Sequence, residues 1–289
     1  MRPGDTLMEW EVEGKRFNIG VSRLGAGPVL LLLPALSSIS TRSEMLGLQQ
    51  LLAATYSTIA VDWPGFGDQP RPRIRWRPEH SRAFLRVLIG RIGRPAVTVA
   101  AGHAAGYALS QSAEEAGSLG RLCLLSPTWR GPLPTMAGRR MRFFSAAASA
   151  VDFPLLGSVF YRLNVNRPVI GMMARGHVYS DPDWLTGERM AQKRAVSEAA
   201  GARHASFRFV TGVLDPFHER QQFLYAARRA GDILLVYARQ APRKSKAEML
   251  ELAALDNVRA IELPTGKLSF YEEFPEETAR AMLPHLAAD

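Results

Sequence analysis

The sequence predicts an α/β fold with a mostly parallel sheet and a long helical insertion, on three observations. Short apolar runs recur at Val29–Leu33, Thr58–Val61, Val97–Ala101 and Leu122–Leu125, and each is separated from the next by a segment able to hold a helix. The alternation stops after Leu125 and resumes at Ile233–Tyr237 and Val258–Leu263. Between these two regions, from Arg130 to about Phe207, the chain is helical in pattern, basic and punctuated by Pro and Gly. Strands that are apolar throughout and alternate with helices mark a parallel sheet covered on both faces.

Taken in order, the chain opens with a hairpin: "LMEWEVEG" and "KRFNIGVSRLG" alternate apolar and polar residues around Gly14. Pro78–Ile92 reads as a helix, with Phe84, Leu85, Leu88 and Ile92 on one face and Arg82 and Arg86 elsewhere. A helix is expected at Lys244–Leu255 and a final one from Pro275. A helical insertion between two βα repeats is expected to act as a cap over the strand C-termini, where ligands bind in α/β sheets. The boundaries read as a core of 1–129 and 208–289 and a cap of 130–207.

Composition narrows the function classes. With 289 residues, 47% hydrophobic and 22% charged, the chain can bury a full core. Cys123 is the lone cysteine, so neither a disulfide framework nor a cysteine metal site is expected. The N-terminal stretch lacks the apolar region of a signal peptide, and no run approaches the ~18 apolar residues of a membrane span, so the expected setting is cytoplasmic, with peripheral membrane contact as an alternative. The net charge of +9 is concentrated: residues 70–95 and 130–208 each carry a net +7. Such segments attract anionic ligands or anionic membrane surfaces. Nucleic acid is disfavoured, since no helix-turn-helix or RNA-binding signature and no interleaved aromatics accompany the charge.

Four stretches, "VLLLLP" with the Ser-rich loop after it, "STIAVDWPGFGDQP", "VTVAAGHAAGYAL" and "LPTGKLSFYEEFPEETARAML", together resemble the α/β-hydrolase superfamily with a cap domain. "VLLLLP" and the Ser-rich loop after it look like the oxyanion-loop strand, and "STIAVDWPGFGDQP" like the next strand with its G-x-G loop. "VTVAAGHAAGYAL" falls at the nucleophile elbow, and "LPTGKLSFYEEFPEETARAML" looks like the last strand, histidine loop and closing helix. The resemblance implies an eight-stranded, mostly parallel sheet with an antiparallel start. It also implies where a Ser-His-acid triad would stand. Read through the G-x-S-x-G spacing, Gly102-His103-Ala104-Ala105-Gly106 puts Ala104 at the nucleophile. The acid position falls at Ala241 in "YARQAPRK", and the histidine position at Leu268, or Lys267 with a one-residue slip. The oxyanion loop opens with Pro34-Ala35 in place of the usual His-Gly. Ala104 is expected at the apex of a strained turn facing an apolar cavity, and Ala104→Ser is expected to gain little activity without a base.

The other polar candidates divide between structure and chemistry. His103 is expected to pack behind the turn. Asp215 and His218, in "TGVLDPFHERQQF", are the best remaining acid/base pair, against the reading that Asp215-Pro216 starts a helix. Leu36, Ser37, Ser38 and Ser40 border the expected pocket, with the hydroxyls free either to contact a ligand or to satisfy their own loop. Ala105 lies in the elbow, and Trp129 in "SPTWRGPLP" could form a pocket wall. The stretch from Gly138 to Leu163 couples a basic start to apolar residues, as cap core or as a face for a membrane or lipophilic ligand. Asp62, Glu272 and Glu273 read as structural, and no metal or phosphate-loop motif is present. The reading that follows is a triad-less member that binds a small lipophilic or anionic molecule under the cap without cofactor, with a non-covalent enzyme of lyase, isomerase or cyclase type, or a hydrolase with an atypical site, as the alternative. Oligomeric state is left open.

Overall fold

The computed structural model describes residues 4–141, 144, 148–149, 151–153 and 156–286. β1 (Asp5–Val12) and β2 (Lys15–Leu24) form the expected antiparallel hairpin, closed by Glu13 and Gly14 at φ 50° and 70°. Two successive positive φ values give the tight turn whose twist matches that of the strands. β3 (Val29–Leu33), β4 (Ser57–Val61), β5 (Val97–Ala101), β6 (Arg121–Leu125), β7 (Ile233–Ala238) and β8 (Val258–Leu263) are parallel to one another. The eight strands make one sheet in the order β1-β2-β4-β3-β5-β6-β7-β8.

The α-helices include α1 (Leu46–Leu52), α2 (Pro78–Ile92), α3 (Ala104–Glu114), α4 (Pro132–Ala137), α5 (Leu156–Asn164), α6 (Arg167–Met173), α7 (Gly187–Glu198), α8 (Ala202–Val210), α9 (Arg220–Arg229), α10 (Arg243–Ala253), α11 (Phe270–Glu273) and α12 (Pro275–Leu286). Pro78 occupies the first turn of α2, where its missing N–H costs nothing, and Arg77 before it is extended. Both faces of the sheet are covered because β3 alternates: Leu31 and Leu33 pack with Phe84, Tyr107, Phe223 and Met249 of α2, α3, α9 and α10. Leu30 and Leu32 pack instead with Leu48, Phe270 and Met282 of α1, α11 and α12.

Between β6 and β7 the described residues contain helices and no strand. α8 runs to Val210, three residues past the expected end of the insertion, while α9 packs on α3 as part of the core layer. The insertion has its own small apolar cluster of Ile170, Ala174, Tyr179, Leu185 and Met190. Part of the stretch from Gly138 to Leu163 lies outside the described residues; within them Phe153, Val159 and Leu163 are exposed. Among the described residues no helix is long and apolar enough to cross a membrane.

Candidate functional site

The C-terminal ends of the parallel strands meet the insertion, and the Gly/Ala turn after β5 stands at their centre. The chain turns two residues earlier than the G-x-S-x-G spacing implies. Gly102 carries the positive φ (52°), while His103 is already right-handed helical (φ −70°, ψ −21°) and Ala104 begins α3. The cause lies in the sheet: β5 ends at Ala101, and the N–H of Gly102 donates to Leu125 O (2.8 Å), so the reversal follows at once and falls on the residue without a Cβ. Ala104 is therefore not a strained apex over a cavity; it is fully buried in the core, as is Ala105. Gly106 has a separate reason to be glycine, because a Cβ there would meet Pro216 Cγ at 2.7 Å. A Cβ on Gly102 would meet only Ala35, at 3.1 Å, with open space otherwise.

Around Gly102 the other expected pocket residues are distributed unevenly. Leu36 is buried, and Ser37 and Ser38 are partly exposed. The Ser37 hydroxyl accepts from Ile39 N–H (3.2 Å) and shares a hydrogen bond with Ser40 (2.7 Å), which occupies it within its own loop. Ala241 is buried and donates its N–H to Ala238 O. Leu268 is partly buried, and its loop is strapped to the insertion by Ser269 N–H donating to Val178 O (3.0 Å) and Lys267 donating to Arg175 O. Trp129 is buried with its Nε1 unpartnered and the Arg130 guanidinium 4.9 Å from its ring centre. Sequence reasoning missed Ser126, which directly follows β6 with φ 43°, is fully buried and has no partner for its hydroxyl among the described residues. The signal available was its place between an apolar strand and Pro127.

The structure separates the expected Asp215/His218 pair. His218 is exposed and lies 3.5 Å from Arg140. Nor does Asp215-Pro216 start a helix, since α9 begins at Arg220 with Glu219 as its cap. Asp215 instead reaches across the chain, accepting from Gly131 N–H (2.8 Å) at the head of α4 and from Arg140 Nη2 (2.6 Å). His103 packs behind the turn against Phe209, with Nε2 3.2 Å from Leu214 O and 3.4 Å from Asp215 Oδ1. Burial draws the His103 pKa down to about 4, so the ring is neutral at pH 7 and its Nε2–H donates to Leu214 O. Burial pushes the Asp215 carboxyl up to about 8, against the opposing pull of Arg140 and the Gly131 N–H.

Asp215 thus holds the entry and exit of the insertion together. Asp215→Ala is expected to cost about 2–3 kcal/mol, because Gly131 N–H and the Arg140 guanidinium both lose their buried acceptor. Asp215→Asn, which keeps an acceptor for Gly131, should cost less. Urea midpoints at constant m-value check the ranking.

A second set of groups joins insertion to core. Lys193 of α7 donates to Glu44 (2.6 Å) and Glu272 (3.2 Å), and Tyr179 OH donates to Glu272 (2.6 Å). Glu273 accepts from Ser180 N–H and hydroxyl and from Asp181 N–H. Asp62, after β4, accepts from the backbone N–H and Nη1 of Arg42 at 2.6 and 2.5 Å. All three carboxylates, Asp62, Glu272 and Glu273, therefore tie loops together. Among the described residues no group of three His, Cys, Asp or Glu is placed to hold a metal ion.

The chain belongs to the alpha/beta hydrolase family, whose model matches residues 30–281. Solved structures agree on the fold. It is similar to Cfl2 from Burkholderia cenocepacia (TM-score 0.75, 21% identity, covering 98% of this chain and 96% of that one). It is similar also to a putative ancestral haloalkane dehalogenase (0.74, 20%, 97% and 98%) and to a thermophilic esterase from Thermogutta terrifontis (0.72, 14%, 98% and 98%). No curated protein matches the chain in sequence.

Proposed function

We propose that this chain uses the α/β-hydrolase fold to hold a small lipophilic or anionic molecule beneath the helical insertion, without the acyl-enzyme chemistry of a serine hydrolase. The observation that carries the reading is Gly102 at φ 52°: the strained position where such a fold presents its nucleophile has no side chain. Ala241 and Leu268, at the acid and base positions, can neither hold nor move a proton. The nearby ionisable groups are already engaged, His103 with Leu214 O and Asp215 with Gly131 and Arg140. A hydroxyl needs an adjacent base to become a useful nucleophile, and the unpartnered Ser126 has no titratable group within hydrogen-bond distance among the described residues. The ester- and halide-cleaving chemistry named for the neighbours is therefore not carried over, since fold alone does not specify a reaction.

Ser126 supports one second reading. A buried hydroxyl with no protein partner could donate a hydrogen bond to a bound molecule in a non-covalent reaction. The two readings separate in one experiment. Native mass spectrometry of freshly purified protein should show a bound small molecule that leaves unchanged, while p-nitrophenyl acetate is not turned over and a fluorophosphonate does not label the chain. Conversion of the bound molecule would favour the second reading. Ester turnover with fluorophosphonate labelling would overturn both.

A further inference from the structure

The two basic segments of the sequence converge on one groove whose lining does not include the Gly102 turn. Arg71 and Arg73 come from the first segment, and Arg162, Arg167, Arg194 and Arg203 from the second; together they line a groove of about 890 Å³ between the 67–73 loop and helices α5 to α8. The lining contains a single carboxylate, Glu198, which is paired with Arg194 at 2.6 Å. The loop is fixed to the insertion by Arg71 N–H donating to Ala200 O (2.8 Å), and Gly201 has no room for a side chain, since a Cβ would meet Arg71 O at 2.0 Å.

Arg71 is the informative member. It is 6% exposed, yet no carboxylate pairs with it among the described residues. Its Nη2 donates to the carbonyls of Gly67 and Val196, while Nε and Nη1 have no partner among the described residues. The carboxylates nearest in effect, Asp62 and Asp68, are bound by Arg42 at 2.5 and 2.9 Å. Burial lowers the Arg71 pKa to about 10, which still leaves the guanidinium charged at neutral pH. A buried cation with two idle donors is costly unless an anion completes it. Arg203 adds a further unpartnered Nε at the same wall.

We infer that this groove is a binding site for a phosphate-bearing anion, with Arg71 at its floor and Arg162 and Arg167 at its exposed rim. Guanidinium groups suit phosphate because their planar donors match its oxygens, and several of them around one cleft exceed what a single carboxylate ligand would use. The phosphate could belong to a soluble ester or to a lipid headgroup. Val159 and Leu163, exposed on α5 beside Arg162, give the lipid source a physical basis.

The test uses the full chain at low ionic strength. Titration calorimetry with inorganic phosphate and glycerol 3-phosphate reads the soluble source, and flotation with phosphatidylcholine vesicles, with and without phosphatidic acid, reads the lipid source. Binding in either arm should saturate. It should weaken about ten-fold or more in Arg71→Met, and likewise in Arg162→Gln/Arg167→Gln, since each removes charge-assisted donors. Arg16→Gln/Arg23→Gln, which removes as much charge from the N-terminal hairpin, should leave it unchanged. The exposed pair keeps the test decisive should Arg71→Met fold poorly. No saturable binding in either arm, or equal weakening by the hairpin control, overturns the inference.

Discussion

Lys193→Met should destabilise the protein by up to about 3–5 kcal/mol, the range for removing one partner of a buried ion pair, with the full loss reached only above the Glu44 titration near pH 7, where the stranded carboxylate is ionised. Lys193 is 7% exposed and Glu44 3%, so water cannot replace the lost ammonium. What remains to Glu44 is Tyr271 OH at 3.3 Å and its neighbouring loop. Glu44→Gln added to Lys193→Met should recover much of the loss, because the stranded charge is then gone. The pH dependence gives an independent check. Burial is the main cause that raises the Glu44 carboxyl from its ordinary 4.5 to about 7, with Glu272 adding to the rise and Lys193 opposing it. The folded state therefore keeps this proton to higher pH than the unfolded chain does. Its contribution to stability is full below about pH 4.5 and declines as pH rises through 7. Lys193 itself is held well above its ordinary value by the two carboxylates, working against burial, and titrates outside this window. Stability of the natural chain, measured relative to Glu44→Gln, should fall across pH 4.5–7, and in Lys193→Met the fall should extend to higher pH. A flat difference across that range would show that Glu44 stays ionised throughout.

The sheet was legible because its signal is local. β3 and β7 are unbroken apolar runs and β5 is apolar but for Thr98, as strands buried on both faces are, and α2 shows its helical face and its Pro start within fifteen residues. The turn after β5 was legible as a turn but misplaced by two residues. Its two glycines match the elbow spacing for unrelated reasons: Gly102 takes the left-handed backbone, and Gly106 makes room for Pro216, more than a hundred positions away. No local pattern separates those causes. The same holds for the polar contacts. Glu44, Lys193 and Glu272 meet across 149 and 79 positions, and Asp215 finds Gly131 and Arg140 rather than its neighbour His218. The basicity of residues 70–95 and 130–208 was plain from counting, whereas their meeting in one groove depends on how the insertion folds back over the 67–73 loop.

A cysteine placed at Gly102 should react with a small thiol reagent such as iodoacetamide, while one placed at Ala104 should stay unmodified until the protein unfolds. The native background is silent: Cys123, the lone cysteine, is fully buried in β6, and burial pushes its thiol well above the ordinary range, so the reactive thiolate is scarce. At Gly102 the new Cβ enters space bounded only by Ala35, and the glycine is partly exposed. The left-handed backbone there disfavours any L side chain, so Gly102→Cys should lose about 1–2 kcal/mol, within what a domain of this size tolerates. At Ala104 the side chain is fully buried in the core, so a thiol there is screened from the reagent in the folded state. Intact-mass spectrometry after brief alkylation should therefore find one adduct on Gly102→Cys and none on Ala104→Cys or the natural chain, with one adduct on the natural chain and two on each variant in denaturant. The reverse pattern, with Ala104→Cys labelled in the folded state, would return the apex to the position that the G-x-S-x-G spacing implies and remove the main support for the proposed function.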